Sequence, residues 1–563
     1  MRGGRRHDIT RRSVRQGALY AALLSTSSLA AVDAQAALVI STDTTANVSC
    51  SSGVCTATAE NAVLNVSTLV NMLASSDVQV VSGSKAANIV IDTAISTPFL
   101  GPHNLTFDAY RSLRFNKPLT IQGPGALSLL INDGDVGGTL SFGRQANVHF
   151  LATSNTLRIN GVPYSLVDSV ASLASAIAAD PAGFYALANN YDARPDGTYA
   201  QAPVSANFTG NLEGLGNTIA HLSINDTTAG DNVGLFGFLG QPGRGSVENL
   251  RFTTAHVVGG RLTETGILAG ASVGTVSGVT VSGKVEVGPE SYVGGLIGIN
   301  DGNVVNSMSA ASVHGAHRTI VGGLAGISGI GGMGSIQSCS ATGAVSSSGA
   351  SKEGSFIGGL VAYNEGAITN SYATGSVSSA FNVYAGGLVG AAGHYGRITN
   401  SYATGAVTGG PNSTLGGLAS FGWGVIADTY AKGSVTGGSG SLIGGLVGRN
   451  GTEVIQHHSY SEKISASYST GAVTGGAGSS IGGLIGEDQA PAGFLTNVYW
   501  DTTTSGITNL SQGAGNVSDD PGITGLSTTQ LQSGLPTGFD TRIWAESAGI
   551  NGGLPYLRFL PPN

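Results

Sequence analysis

The chain has 563 residues, of which 89 are Gly and only 10% are charged, with a formal net charge of −8. Glycine this far above the usual ~7%, but without a strict three-residue period, excludes a collagen triple helix, and 41% hydrophobic residues exclude wholesale disorder. The acidic balance argues against nucleic acid or anionic lipid as partner, because phosphates would be repelled.

Residues 1–36 stand apart. Arg2, Arg5, Arg6, Arg11, Arg12 and Arg15 precede an apolar segment from Ala18 to Val32, and Ala34-Gln35-Ala36 supplies a small-x-small cleavage pattern. This reads as a bacterial-type signal peptide cut after Ala36; the alternative is an N-terminal membrane anchor, for which the apolar run is short. Removing it takes six Arg, Asp8 and Asp33 from the 25 basic and 33 acidic side chains, leaving 19 and 31 and a net charge of −12. No later stretch holds ~20 uninterrupted apolar residues, so no integral membrane segment is expected after the signal. Cys50 and Cys55 lie close to the mature N-terminus and are candidates for a hairpin disulfide in an oxidising compartment, with two free thiols as the alternative. Cys339 is the odd cysteine.

Residues 37–207 read as an N-terminal cap followed by β-helix coils. Short strand-like runs such as Ala37–Ile40 and Val54–Ala57 alternate with polar turns, and from Asp77 on runs such as Val78–Val81, Ile89–Ile91 and Leu119–Ile121 are closed by Gly, Asn, Asp or Pro, a series that Leu127–Ile131 continues. Ser67 is placed to cap a brief helix over 68–74. A helical insertion is expected near 168–180, capped by Asp168-Ser169 and stopped by Asp180-Pro181. Residues 182–207 then read as a surface excursion.

From 208 to 510 the chain repeats. The first Gly of a Gly-x-Leu step falls at Gly266, Gly294, Gly322, Gly358, Gly386, Gly416, Gly444 and Gly482. Most of these steps are 28 residues apart, and the longer intervals are that unit plus insertions. A unit of this length with three strand signals fits one turn of a parallel β-helix, its strands stacked ~4.8 Å apart. In this alignment Leu296, Leu324, Leu360, Leu388, Leu418, Leu446 and Leu484 form one apolar row. Val304, Ile336, Ile368, Ile398, Ile426 and Ile464 form a second, and Met308, Tyr372, Tyr402, Tyr430, Tyr468 and Tyr499 a third. Asn249, Asn306, Asn370, Asn400 and Asn497 form a column in which side-chain amides are expected to bond along the stack. Cys339 stands level with Ser371, Ser401 and Thr429, which reads as a small packing position. Residues 511–563 are expected to cap the open edge of the last coil.

The steps Gly294-Gly295-Leu296-Ile297-Gly298, Gly386-Gly387-Leu388-Val389-Gly390 and Gly444-Gly445-Leu446-Val447-Gly448 resemble GLUG repeats, as do the Asn-Ser-Tyr-Ala-Thr-Gly segments at 370–375 and 400–405. So do Asn497-Val498-Tyr499-Trp500-Asp501 and the 551–557 segment, which resemble the close of such arrays. The resemblance, over roughly 208–560, is to bacterial surface proteins related to filamentous haemagglutinins and two-partner-secretion adhesins. It implies an all-β, single-stranded, right-handed parallel β-helix. It also implies secretion or display on the outer surface of a Gram-negative cell, an outer-membrane export partner, adhesion to a host, matrix or cell-surface ligand, and no catalytic residues. No Asn-Pro-Asn-type secretion motif accompanies it.

The residues suggest no catalytic centre, no cofactor and no metal site. His457-His458 is the one adjacent histidine pair, and Asn132-Asp133-Gly134-Asp135 could offer oxygens to Ca²⁺ but equally makes a tight turn. The alternative function is a polysaccharide lyase or hydrolase, which needs clustered carboxylates; none are expected at equivalent positions of adjacent coils. Binding is expected in the insertions 328–334, 346–355 and 451–463.

Overall fold

The computed structural model describes residues 36–562 except 99–102, 349–353, 456–457 and 462, with backbone alone for 97–98 and 452–461. Residues 1–35, which carry the expected signal peptide, lie outside the described residues. What is described is a parallel β-solenoid with only short helices. Its coils carry more strands than the three signals per turn imply. One coil runs Ile320–Gly322 (sheet I), Ala325–Ser328 (sheet II), then Ser335–Gln337, Ser340–Ala341 and Val345–Ser347 (sheet III). Sheet I stacks nine strands from Asn232–Val233 to Ser480–Gly482, and sheet II nine from Phe236–Leu239 to Ile485–Asp488.

The repeat sets the register. Ile336, Ile368, Ile398, Ile426 and Ile464 are successive partners, and this row and the leucine row are fully buried. A single coil could not bury them; the stack does. The second Gly of each step is required by close approach. A Cβ on Gly359 would meet the Gly387 carbonyl at 2.0 Å and the Ala373 methyl at 3.0 Å. In the last coil that alanine position is taken by Trp500, whose ring lies against Gly483 and closes the end of the core.

The asparagine column has a different job from the one expected. Asn249, Asn306, Asn370, Asn400, Asp428 and Asn497 all sit at φ of 49–54°, as does Ser338 at 54°, and Ala466 is close by at 45°. Asn and Asp tolerate this left-handed turn best among residues with a Cβ. No amide-to-amide bond joins Asn306, Asn370 and Asn400 among the described residues. The ladder is one residue further on, at the position expected only to pack. The amide of Cys339 donates to Ser371 Oγ (3.1 Å) and that of Ser371 to Ser401 Oγ (3.1 Å), while each serine hydroxyl donates to the carbonyl two residues back, Thr369 (2.8 Å) and Thr399 (2.7 Å). A second hydroxyl ladder runs through Ser413, Ser441 and Ser479 at the turn before sheet I.

Helix α1 is Val66–Leu73, two residues earlier than expected at its start because Asn65, not Ser67, accepts the free amides. Helix α2 is Val170–Ala179 with a Ser169 capping box. Between them the stack changes direction. Thr156–Ile159 is antiparallel to Val162–Val167 through a tight turn at Asn160 (φ 48°) and Gly161 (φ 79°), and Val162–Val167 is parallel to Phe184–Leu187. The solenoid is therefore two stacks with separate cores, one around Leu38–Leu157 and one around Val167–Ala514. The first core also takes in Ala186, Ala188 and Leu215 of the second stack, and polar bonds flank that contact. Asn217 donates to the carbonyls of Val148 and Leu187 (both 2.8 Å), and Arg251 reaches those of Gly143 (2.6 Å) and Ala146 (3.0 Å). The expected excursion over 182–207 is instead part of the second stack. Phe184–Leu187 is in register with Asn211–Glu213, and Tyr185, Ala186, Leu187, Ala188 and Ala193 are buried.

The tail does two things. Residues 512–515 cover the edge of the last Gly-Gly-Leu step: Gly483 and Leu484 donate to the carbonyls of Gln512 and Gly513 (3.0 Å each), and Gly515 to that of Ile485 (3.0 Å). Ile523–Leu526 likewise covers the end of sheet III by pairing in parallel with Leu495–Asp501; the remainder lies over the tyrosine row, which is outside the main core. Tyr372, Tyr402, Tyr430 and Tyr468 stack at 4.7–5.3 Å. Trp544 and Phe539 pack on the last of these, Trp544 Nε1 donates to Asp428 (3.0 Å), and Tyr468 donates to the Pro555 carbonyl (2.6 Å).

Candidate functional site

The turn from sheet II to sheet III is two residues long where the repeat is undisturbed, as at 301–302, 365–366 and 423–424. At 240–245, 329–334, 393–396, 451–462 and 489–494 it is longer. These insertions all leave the same corner of the stack, most of them separated by coils with the two-residue turn. The strands on either side keep register across them (Ala325↔Val361, Ser335↔Ala367), so their length costs no core contact. The expected insertions 328–334 and 451–463 are both here. The second contains an antiparallel hairpin, Thr452–Ile455 with His458–Ser461. The insertion 346–355 leaves a different corner, between sheets III and I, and its middle lies outside the described residues.

Two carboxylates pin the first of these turns. Ile330 and Gly331 donate backbone amides to Asp301 (2.8 Å) and Glu365 (2.7 Å), and the Tyr363 hydroxyl donates to Glu365 (3.0 Å). Burial, with Glu365 close by, holds the Asp301 carboxyl above its ordinary range. Met333 is 72% exposed and Tyr395 55%. Beside them runs an aromatic row: Phe356 on Tyr384 (5.0 Å), Tyr384 on Phe421 (5.8 Å), Phe421 edge-on to Trp423 (4.4 Å). The rings of Phe356 and Tyr384 cover one another's faces on neighbouring strands of sheet I.

Other residues singled out by sequence fall elsewhere. Cys50 and Cys55 are joined, with S–S 2.03 Å, across the Val48–Ser51/Val54–Ala57 hairpin. Cys339 is buried and its thiol is pushed up to about 12 by desolvation, so it is no nucleophile. His457 lies outside the described residues. Asn132 spends its carbonyl on the amides of Gly137 (2.7 Å) and Gly138 (3.0 Å), which closes the loop as a turn.

The expectation that carboxylates would not meet on adjacent coils is overturned. Glu213 and Glu248 are register partners, bridged by Asn211 and Asn249. Burial, then the Glu248 charge, pushes Glu213 up to about 8. Asp226 and Asp231 share a cleft of about 230 Å³ with Gln201, Ser205 and Asn232, and burial raises Asp231. Asp488 and Asp520 form a third pair. The sequence hides them because 35 rather than 28 residues separate Glu213 from Glu248, and the other two pairs join a strand to a turn outside the repeat. No Lys or Arg lines the cleft. Asp226 and Asp231 are in hydrogen-bonding contact, closer than the ~5–9.5 Å that separates the two carboxyls of glycosidases.

Residues 354–378 and 381–408 match the GLUG motif. The matched segments are the coils that carry the GLUG step at Gly358 and Gly386, together with the 370–375 and 400–405 segments. Halomucin of Haloquadratum walsbyi is 44% identical over 107 residues, which is 19% of this chain. The chain spans about 1% of the length of that relative. Among solved structures, a candidate immunoglobulin A1 protease from Bacteroides ovatus aligns over 70% of this chain and 93% of its own, at 18% identity and a TM-score of 0.28, too low to bear on fold or activity.

Proposed function

We propose that the chain is an exported protein, secreted or held at the cell surface, that works by binding rather than by catalysis. The observation that carries this reading is the clustering of long turns at one corner of an otherwise regular GLUG stack. A rigid stack tolerates variation there without loss of core. The likeness to a segment of halomucin supports it too. The ligand, of host, matrix or neighbouring-cell origin, is received along the sheet II–III corner. The test is replacement of 451–462 by a two-residue turn in the full chain. Far-UV circular dichroism is expected to stay unchanged while binding in a glycan and matrix-protein screen falls; unchanged binding would remove this hairpin from the reading. A polysaccharide lyase or hydrolase has one place to sit, the Asp226–Asp231 cleft. Turnover abolished by Asp231→Asn would establish that activity instead.

A further inference from the structure

The last strand of sheet II brings together polar groups that neither the stack nor the cap satisfies. Asn450 and Asp488 are register partners on neighbouring strands, so their side chains leave the same face one rung, ~4.8 Å, apart. Asn450 is wholly buried, and neither its Oδ1 nor its Nδ2 has a hydrogen-bond partner. Asp488 is 8% exposed, and Asp520 from the cap is in hydrogen-bonding contact with it. The Asp520 Oδ2 is itself buried without a hydrogen-bond partner.

The carboxylates are held in place from outside. Asp488 Oδ1 accepts from the Ala490 amide (2.9 Å), and Asn516 clasps the Asp488 backbone through its Oδ1 (2.7 Å) and Nδ2 (2.8 Å). Among the described residues no Lys or Arg pairs with either aspartate. Arg449 and Glu487, at the alternating positions, pair with each other (3.1 Å) on the other face of the strands.

We propose that Asp488, Asp520 and the Asn450 carbonyl bind a Ca²⁺ ion. An orphaned carboxamide in the interior is unfavourable, and such groups mark where an ion or water belongs. A water would satisfy Asn450 but leave two carboxylates competing for one proton. A divalent cation satisfies both. Ca²⁺ is a hard ion that takes carboxylate and amide oxygens in flexible geometry, whereas Mg²⁺ demands a near-ideal octahedron. The ion would tie the last sheet II strand to the cap, locking the end of the stack.

The test is isothermal titration calorimetry of CaCl₂ into the EGTA-stripped full chain, with wild type, Asp520→Asn, Asn450→Ala and the distant control Asp231→Asn. One Ca²⁺ per chain is expected. Asp520→Asn and Asn450→Ala are each expected to weaken binding by ~10-fold or more with an unchanged far-UV spectrum; Asp231→Asn should bind as wild type. Asp520 lies in the cap, so its variant keeps the test open should Asn450→Ala fail to fold. No saturable calcium heat, or equal affinity in wild type and Asp520→Asn, would overturn the proposal.

Discussion

Replacing Trp544 with Ala tests how the tail is held. The indole is fully buried against Phe539 (4.5 Å), Tyr468 (5.9 Å) and Tyr430 (6.2 Å), and its Nε1 donates to Asp428. A buried Trp→Ala change costs ~3–5 kcal/mol. The lost hydrogen bond adds little, because water can reach Asp428 once the ring is gone. In a solenoid each coil contacts its neighbours only, so the cost should fall locally. Hydrogen exchange followed by mass spectrometry reads this directly. Amides of the tail around 535–557 should exchange ~10²–10³-fold faster, since each 1.4 kcal/mol is a factor of ten, while the strands at Val304 and Ile336 keep wild-type rates. Loss of protection spread evenly over all coils, or no change in the tail, would refute the argument that the tail is a lateral clasp on an independent stack.

The buried Glu213 makes stability fall with rising pH. Its folded value of about 8 exceeds its ordinary value of 4.5, so between these the unfolded chain ionises and the folded one does not, and stability drops by ~3–5 kcal/mol across the window. Glu213→Gln should flatten that slope in urea titrations at about pH 5 and about pH 8; an unchanged slope would show that Glu213 ionises freely. Ser371→Ala should cost ~1–2 kcal/mol by orphaning the Cys339 amide, whereas Cys339→Ser should be near neutral because a hydroxyl suits that ladder. Equal losses in urea unfolding would count against the ladder. With Cys50 and Cys55 joined and Cys339 buried, a thiol reagent should find no fast-reacting group in the native chain and one after unfolding without reductant. Two or three would contradict the pairing.

The stacking of the second half was legible because its period repeats apolar residues at fixed offsets: Ile336, Ile368 and Ile398 cannot be buried in any other register. The asparagine column was legible as a position but not as a conformation, although Asn next to a strand end is a usual sign of φ > 0. The reversal between the stacks carried a signal, Asn160-Gly161 between Thr156–Ile159 and Val162–Val167, the usual mark of a two-residue hairpin. The coil over 184–187 was missed because it lacks the Gly-Gly-Leu step and buries Tyr185 and alanines instead. At the candidate site, spacing revealed that insertions exist; their sharing of one corner depends on which strand precedes each. The pairing of Asp488 with Asp520 depends on how the cap folds back, which no local pattern encodes.

The account's central claim is that function resides in the turns at the sheet II–III corner, carried by a stack that only supports them. The direct measurement is surface plasmon resonance against the ligands found by a glycan and matrix-protein screen. It compares the full chain with a variant in which 329–334, 393–396 and 451–462 are each cut to two residues. The account predicts saturable binding by the first and its loss in the second, with the hydrogen-exchange protection of Ile336, Ile368 and Ile398 retained. Undiminished binding by the trimmed chain would contradict it.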